Sequence, residues 1–551
     1  MKTFNLIISL ALLLCGANSL LSQDPAIVAA MKKETSAFFD PTSPGGAVLV
    51  MKKGEVILKE AIGVADMELN VPIQPDMVFE IGSISKQFAA ISILKLQEAG
   101  KLSVDDIITK HLPDYPLNGK TITIRQLLNH TSGIRSYTDM PTFDPTIQRR
   151  DATTQEVIDF FKNEPLDFEP GTQWNYSNSG YVLLGAIVEE ITGMDYGDYV
   201  TTEIFQKLGM KNTYWGDRTT IIPNKVKGYT PNGEGGFVKA SYLSMTWPHA
   251  AGAIMSTTTD LYIWTKAVNE HKVVSKASLD MAYTPCVMSD GRIEEYGFGW
   301  GFSQIKGRKV IEHSGGIPGF VSNELYLPEE DVFVALLTNQ ERNGGTDLAS
   351  KLAAIAIGDP YVYPVFMVEE KALKGYEGVY ANAAGLERII TLDEGTLYSQ
   401  RPGSARYKLT PFAADKFVFD GVLTEIHFNR EKKKITGLDF SSRTAGNEHW
   451  TKTDKPVPVV KIVQVDEKIL KSYVGEYELA QGFVMTITLD NGKLFGQPTN
   501  QPTSEFFATD NTHFFIKEVD AKFTFVVDKD GKATGLILDQ GGAKMEGKRV
   551  K

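Results

Sequence analysis

Cysteine is almost missing from this sequence, with only Cys15 and Cys286 in 551 residues. Cys15 falls inside an N-terminal apolar run. If that run is removed, one thiol remains, no intramolecular disulfide can form, and Cys286 reads as a small buried hydrophobe. Histidine is also scarce: eight residues, scattered, none in a His-x-x-x-His or His-x-Glu cluster. That disfavours a metal hydrolase, and neither a metal nor a cofactor is expected. Long lysine or arginine runs are absent and the net charge is -11. The chain therefore has no electrostatic reason to meet nucleic acid, whose backbone calls for basic stripes. Beyond the N-terminus, no stretch approaches the roughly 20 uninterrupted apolar residues of a membrane-spanning helix. No transmembrane span is expected in the mature chain.

What is present begins with Lys2 and the run "LIISLALLLCGA", followed by small residues around Ala17 to Ser19. This pattern reads as a secretory signal over 1–22 and predicts export, to a periplasm or the exterior. Cys15 raises a lipid anchor as an alternative, against which stands the bulky Leu14 before it.

The rest is long enough for several domains, with 42% hydrophobic and 23% charged residues, as in folded globular chains. The clearest mark of organisation is a repeat. "LKGYEGVY" at 373–380 matches "LKSYVGEY" at 470–477, and "ITLDEGTLYSQ" at 390–400 matches "ITLDNGKLFGQ" at 487–497, both at an offset of 97; "TGL" at 436 recurs at 534. Short alternating runs broken by Asp-Glu-Gly and Asp-Asn-Gly turns predict antiparallel strands joined by hairpins, hence two small all-β, barrel-like domains over 371–456 and 467–551. "GDPYVYPVF" and "KTDKPVPVVKIV" read as linkers. The segment 23–360 mixes strand alternation with helical spacing that ends in glycine, and is expected to be the catalytic domain.

Within it, "EIGSISKQFAAISILKLQEAG" places Ser83 and Lys86 three residues apart at the start of a helix. Ile84, Phe88 and Ile91 form one apolar stripe, so the hydroxyl and the amine share a neighbouring face. The plain alternative is an N-cap serine beside a solvated lysine, and Ser303-Gln-Ile-Lys306 has the same spacing. Two further groups give the pair context. "WNYSNSGYVLLG" puts Tyr176 and Asn178 before a helical run, and "KVIEHSGGIPGF" carries a strand into His313-Ser314-Gly315-Gly316, where a substrate backbone could approach closely.

The ordered set Ser83-x-x-Lys86, Tyr176-Ser-Asn178 and His313-Ser-Gly315 resembles the penicillin-recognising serine hydrolases: class C β-lactamases, D,D-peptidases, D-aminopeptidases and related esterases. "TIRQLLNHTSGI" and "AAGAIMSTTTDLYIW" also look like segments of that family. The resemblance implies an α+β catalytic domain, an antiparallel sheet flanked by helices with a helical subdomain, followed by two lipocalin-like barrels of the kind D-aminopeptidases carry. It implies Ser83 as nucleophile, with Lys86 and Tyr176 as a coupled base. Asn178, His313, Ser314 and Gly315 would bind substrate, and the backbone N–H groups of Ser83 and Gly316 would form the oxyanion hole. Histidine stands where most relatives carry lysine in Lys-Thr-Gly, which makes efficient β-lactam hydrolysis less expected. The implied activity is cleavage of amide bonds in small peptides or D-amino-acid-containing substrates through an acyl-enzyme. A carboxylesterase and an inactive binding protein are the alternatives. The barrels are candidate surfaces for oligomerisation.

Overall fold

Residues 24–551, apart from positions 218, 234, 444, 445, 481 and 500, are described by a computed structural model; the expected leader and Cys15 lie outside the described residues. The catalytic domain is built on a six-stranded antiparallel sheet. Its strands are β1 (Gly46–Lys52), β2 (Glu55–Ile62), β3 (Gly301–Ile305), β4 (Arg308–Ile317), β5 (Phe320–Leu327) and β6 (Val332–Thr338), in the order β3-β4-β5-β6-β1-β2. Lys53 and Gly54, both at positive φ, close the first hairpin in two residues, the turn geometry that matches strand twist.

The run "GAVLVMK" is apolar because both of its faces are covered. Ala47, Leu49 and Met51 enter one core and Val48 and Val50 the other. The second core is sealed by helix α1 (Pro25–Phe38) and by a helix from the far end of the domain, Gly345–Ala356, through Met31, Leu348 and Leu352. The first core receives α2 (Ser85–Glu98) and α3 (Asn178–Thr192). The sequence suggests a single apolar stripe on α2; the helix is instead buried all round from Ser85 to Leu94. It runs between the sheet and the helical subdomain, so its small polar residues are enclosed as well and must find partners. Ser85 Oγ accepts from the Ile254 N–H at 3.1 Å, and Gln87 Oε1 accepts from the Trp264 indole at 2.7 Å.

Two closed eight-stranded antiparallel barrels follow, with strands from Gly378 to Lys452 and from Gly475 to Arg549. The repeated sequence produces a repeated contact. Tyr380 donates to the Tyr376 carbonyl at 2.6 Å, and Tyr477, 97 positions on, donates to the Tyr473 carbonyl at 2.8 Å. Both interiors are filled by side chains, among them Ile390, Phe417 and Trp450 in the first and Ile487, Phe506 and Phe523 in the second. The first barrel touches the catalytic domain: the Leu423 N–H donates to Asp347, and Arg443 pairs with Glu312. The second is joined to the first by Arg406 N to Glu518 O at 2.8 Å and by Lys517 to Asp393 at 3.1 Å. Cys286 is buried. Among the described residues no helix is long and apolar enough to cross a membrane.

Candidate active site

Ser83 stands on a single 3-10 turn, Gly82–Ile84, that leads into α2. Between Ile81 and Leu94 it is the one residue that is not buried. Neither the turn nor α2 has a side-chain cap, so the Ser83 hydroxyl is not used as an N-cap. Gly82 takes φ 52°, a left-handed conformation, and a Cβ there would come within 3.1 Å of the Gly316 nitrogen. Gly315 is tighter: a Cβ would lie 2.1 Å from the Ile81 carbonyl oxygen. The glycines of "HSGG" thus let strand β4 lie against the backbone that carries the nucleophile.

Lys86, one turn beyond, is fully buried. Its Nζ lies 3.1 Å from Ser83 Oγ, 2.7 Å from Asn178 Oδ1 and 2.8 Å from the Ala251 carbonyl oxygen. Burial without a carboxylate partner disfavours the ammonium and holds the amine well below its ordinary range. A neutral amine has two hydrogens and one lone pair. The amide and carbonyl oxygens can only accept, so they take the hydrogens, and the lone pair is left facing the Ser83 hydroxyl.

Tyr176 and Asn178 are placed by the start of α3. Ser177 caps that helix by accepting from the Gly180 N–H at 3.2 Å, and Asn178 is its first residue. Asn178 is engaged at both ends: Oδ1 by Lys86 and Nδ2 by Thr138 Oγ1 at 3.1 Å. The Tyr176 ring lies beneath the Lys86 amine, 4.6 Å from its centroid. Burial pushes the phenol up, and the neighbouring Ser83 hydroxyl only partly counters it, so the Tyr176 hydroxyl stays protonated.

His313 is buried on β4, with both ring nitrogens used inside the protein. The bonds run in one direction. The Ser177 N–H donates to His130 Nδ1 (3.1 Å), which assigns His130 Nε2–H as donor to the Tyr296 oxygen (3.3 Å). Tyr296 then donates to His313 Nε2 (2.9 Å), and His313 Nδ1–H to the Ser314 carbonyl (2.6 Å). Each neutral ring has one donor and one acceptor satisfied. Burial pushes both imidazoles down, His313 to about 3, so neutral rings are the ones expected at physiological pH. Ser314 and Gly316 are exposed on the same strand.

Sequence reasoning names Ser83, Lys86, Tyr176, Asn178 and His313, and the fold brings them into one contiguous cluster. It misses Tyr296, the Ala251 carbonyl and Thr138. Tyr296 could have been suspected from "EEYGFGWGF", where glycines alternate with aromatics. A backbone carbonyl leaves no mark in a sequence. Ser303, of the duplicate Ser-x-x-Lys spacing, lies on β3 and donates to Glu312 at 2.6 Å, while Lys306 covers the Tyr361 ring.

A family model described as beta-lactamase matches residues 27–359, more than half of the chain. The chain belongs to the beta-lactamase family. Members similar to it include penicillin-binding protein 4* of Bacillus subtilis (strain 168), 31% identical over 412 residues, covering 70% of this chain and 89% of the relative. A D-aminopeptidase of Gluconobacter oxydans (strain 621H) is 29% identical over 324 residues, 58% of this chain and 60% of that protein. Among solved structures, the octameric penicillin-binding protein homologue from Pyrococcus abyssi aligns with TM-score 0.54 and 25% identity over 78% of this chain and 99% of its own. The D-amino acid amidase from Ochrobactrum anthropi SV3 aligns with TM-score 0.53 and 25% identity over 61% and 99%. Residues 461–549, the second barrel with its lead-in, match a domain of unknown function. As a beta-lactamase family member with this cluster, the chain is a serine hydrolase.

Proposed function

We propose that the protein hydrolyses amide bonds of small peptides or D-amino-acid-containing substrates through an acyl-enzyme on Ser83. The observation that carries this reading is the position of Lys86 Nζ, a fully buried amine 3.1 Å from Ser83 Oγ that is also held by Asn178 Oδ1 and the Ala251 carbonyl oxygen. An alcohol needs such a base to attack a carbonyl near neutral pH.

In this reading Lys86 Nζ takes the Ser83 proton as Oγ bonds to the carbonyl carbon. The oxyanion is held by the N–H groups of Ser83 and Gly316, which the Gly82 and Gly315 contacts keep close together. Tyr176, kept protonated by burial, donates its proton to the leaving nitrogen as the C–N bond breaks, and recovers one from Lys86. Water then adds to the acyl-enzyme with the same two groups in reverse, releasing acid and free Ser83. Asn178 holds Lys86 in place and lies beside the acyl group. His313 acts through Tyr296 and the strand, while Ser314 faces the substrate. Export follows from the N-terminal pattern of Lys2 and the apolar run, and the D-aminopeptidase and D-amino acid amidase relatives support the substrate class.

The test is a panel on one preparation: a D-alanyl peptide or amide, its L-counterpart, a p-nitrophenyl ester and nitrocefin. The reading expects turnover of the D-amide with an acyl adduct on Ser83. Turnover of the ester alone would favour a carboxylesterase, and no turnover or adduct would leave a binding protein.

A further inference from the structure

Lys86 is aimed by two acceptors that come from different elements, Asn178 Oδ1 on α3 and the Ala251 carbonyl on the 3-10 turn His249–Ala251. The turn opens on an unusual residue. His249 takes φ 44°, a left-handed conformation that few residues other than glycine adopt. It is buried, and its Nδ1 has no partner among the described residues. Both features cost stability, and neither is needed merely to fill a core position.

The ring is fastened to α3, the helix that begins with Asn178. His249 Nε2 lies 3.1 Å from Glu189 Oε1, about three turns along that helix, and 3.3 Å from Thr154 Oγ1. A carboxylate only accepts, so Nε2 carries the hydrogen. The same Oε1 also accepts from the Tyr196 N–H at 3.0 Å. Gly185 of α3 makes room for the imidazole, since a Cβ there would come within 2.5 Å of it. The Tyr196 and Trp215 rings pack against it, their centroids 5.5 and 5.6 Å away. Within the turn, the His249 carbonyl accepts from the Gly252 N–H at 3.1 Å and the Ala253 N–H at 3.0 Å. Ala251 lies between these anchors, so the direction of its carbonyl follows from where residue 249 is fixed.

We propose that His249 is a positioning residue for Lys86: by clamping the turn His249–Ala251 onto α3, it holds the Ala251 carbonyl and Asn178 Oδ1 at a fixed spacing around the amine. This rests on the hydrolase reading above, in which Lys86 takes the Ser83 proton. When the two acceptors part, the amine keeps only one of them, and its lone pair is no longer fixed on Ser83 Oγ. His249 does no chemistry itself; it acts through the acceptors that orient the base.

The rate at which a fluorophosphonate labels Ser83, measured in two backgrounds, tests this. His249→Asn supplies a residue that tolerates positive φ but ends short of the Nε2 position. Glu189→Ala removes the anchor and leaves the sequence of the turn intact. Each is expected to slow labelling about 10-fold or more in the otherwise wild-type protein, as a small displacement of a catalytic group does. In Lys86→Met, where there is no amine to aim, each should slow it by less than about 2-fold. Glu189→Gln retains Oε1 as acceptor and should label close to the wild-type rate. A substitution that only loosens the fold slows both backgrounds alike, so equal factors overturn the proposal. Unchanged rates in His249→Asn and Glu189→Ala, or a Glu189→Gln rate as low as that of Glu189→Ala, also overturn it. Those outcomes leave the hydrolase reading intact, whereas labelling of Lys86→Met at the wild-type rate overturns both.

Discussion

Lys86 Nζ lies 3.1 Å from Ser83 Oγ and 2.7 Å from Asn178 Oδ1. The second contact makes the first useful, because the amide oxygen takes one amine hydrogen and helps to turn the lone pair toward the serine. It also sets a pH dependence. Only the unprotonated amine is a base, so kcat/KM should fall as pH drops through the folded-state pKa of Lys86, which burial holds well below 10.5. Asn178→Asp puts an anion beside the amine and favours its charged form. The acidic limb of the kcat/KM profile should move up by about one pH unit or more; a shift to lower pH would contradict the assignment of Lys86 as base.

Tyr296 links two imidazoles that are far apart in sequence. Tyr296→Phe leaves His130 without an acceptor and His313 without a donor, both in buried surroundings. Leaving buried groups unpaired costs about 1–3 kcal/mol, which a denaturant titration should register as a lower midpoint with unchanged slope. The same variant should lower kcat, since His313 and the exposed Ser314 share one strand. An unchanged midpoint would mean that the hydrogen-bonded chain contributes nothing to stability.

What could be read from sequence were features made of neighbouring residues or of repetition. Ser83 and Lys86 are one helical turn apart, and helix geometry alone brings them together. The barrels announced themselves through a 97-residue offset, and Tyr380 and Tyr477 now show the same bond at that offset. What was hidden depends on distant parts of the chain meeting. Tyr296 has meaning only between His130 and His313, and Arg443 only against Glu312 on another domain. Nor could the apolar stripe of α2 disclose that its polar side would be enclosed, because the layers that cover it come from elsewhere in the chain.

Gly315 is where the strand meets the nucleophile's backbone. Gly315→Ala would place a methyl 2.1 Å from the Ile81 oxygen and 2.4 Å from Ser322 Oγ, which itself donates to that oxygen at 2.7 Å. The strand must move away, and overpacking of this kind costs about 1–3 kcal/mol. Activity should fall further than stability, because Gly316 moves with the strand. Near-normal kcat/KM in a variant of reduced melting temperature would dissociate the strand from the oxyanion site.

Glu324 stands opposite His313 in the β4–β5 register, accepts from the Thr265 hydroxyl and keeps its second oxygen buried without a partner. Burial pushes its carboxyl up from 4.5 to about 7. An acid with a raised folded pKa is fully compatible with the fold below its unfolded pKa, and the penalty grows as pH rises from there to the folded value. Integrated over that window, the penalty is about 3 kcal/mol. Glu324→Gln removes it, so wild-type stability relative to the variant should decline between pH 4.5 and 7 and then level off. Parallel stability curves across that window would show that Glu324 titrates normally.

The central claim is that Ser83 is a nucleophile activated by Lys86, and peptide mapping of a fluorophosphonate adduct by mass spectrometry tests it most directly. The expected result is a single adduct on the peptide containing Ser83, none in Ser83→Ala, and labelling slowed by about 100-fold or more in Lys86→Met, the lower range for loss of a general base. An adduct on another residue, or labelling of Lys86→Met at the wild-type rate, would contradict the account.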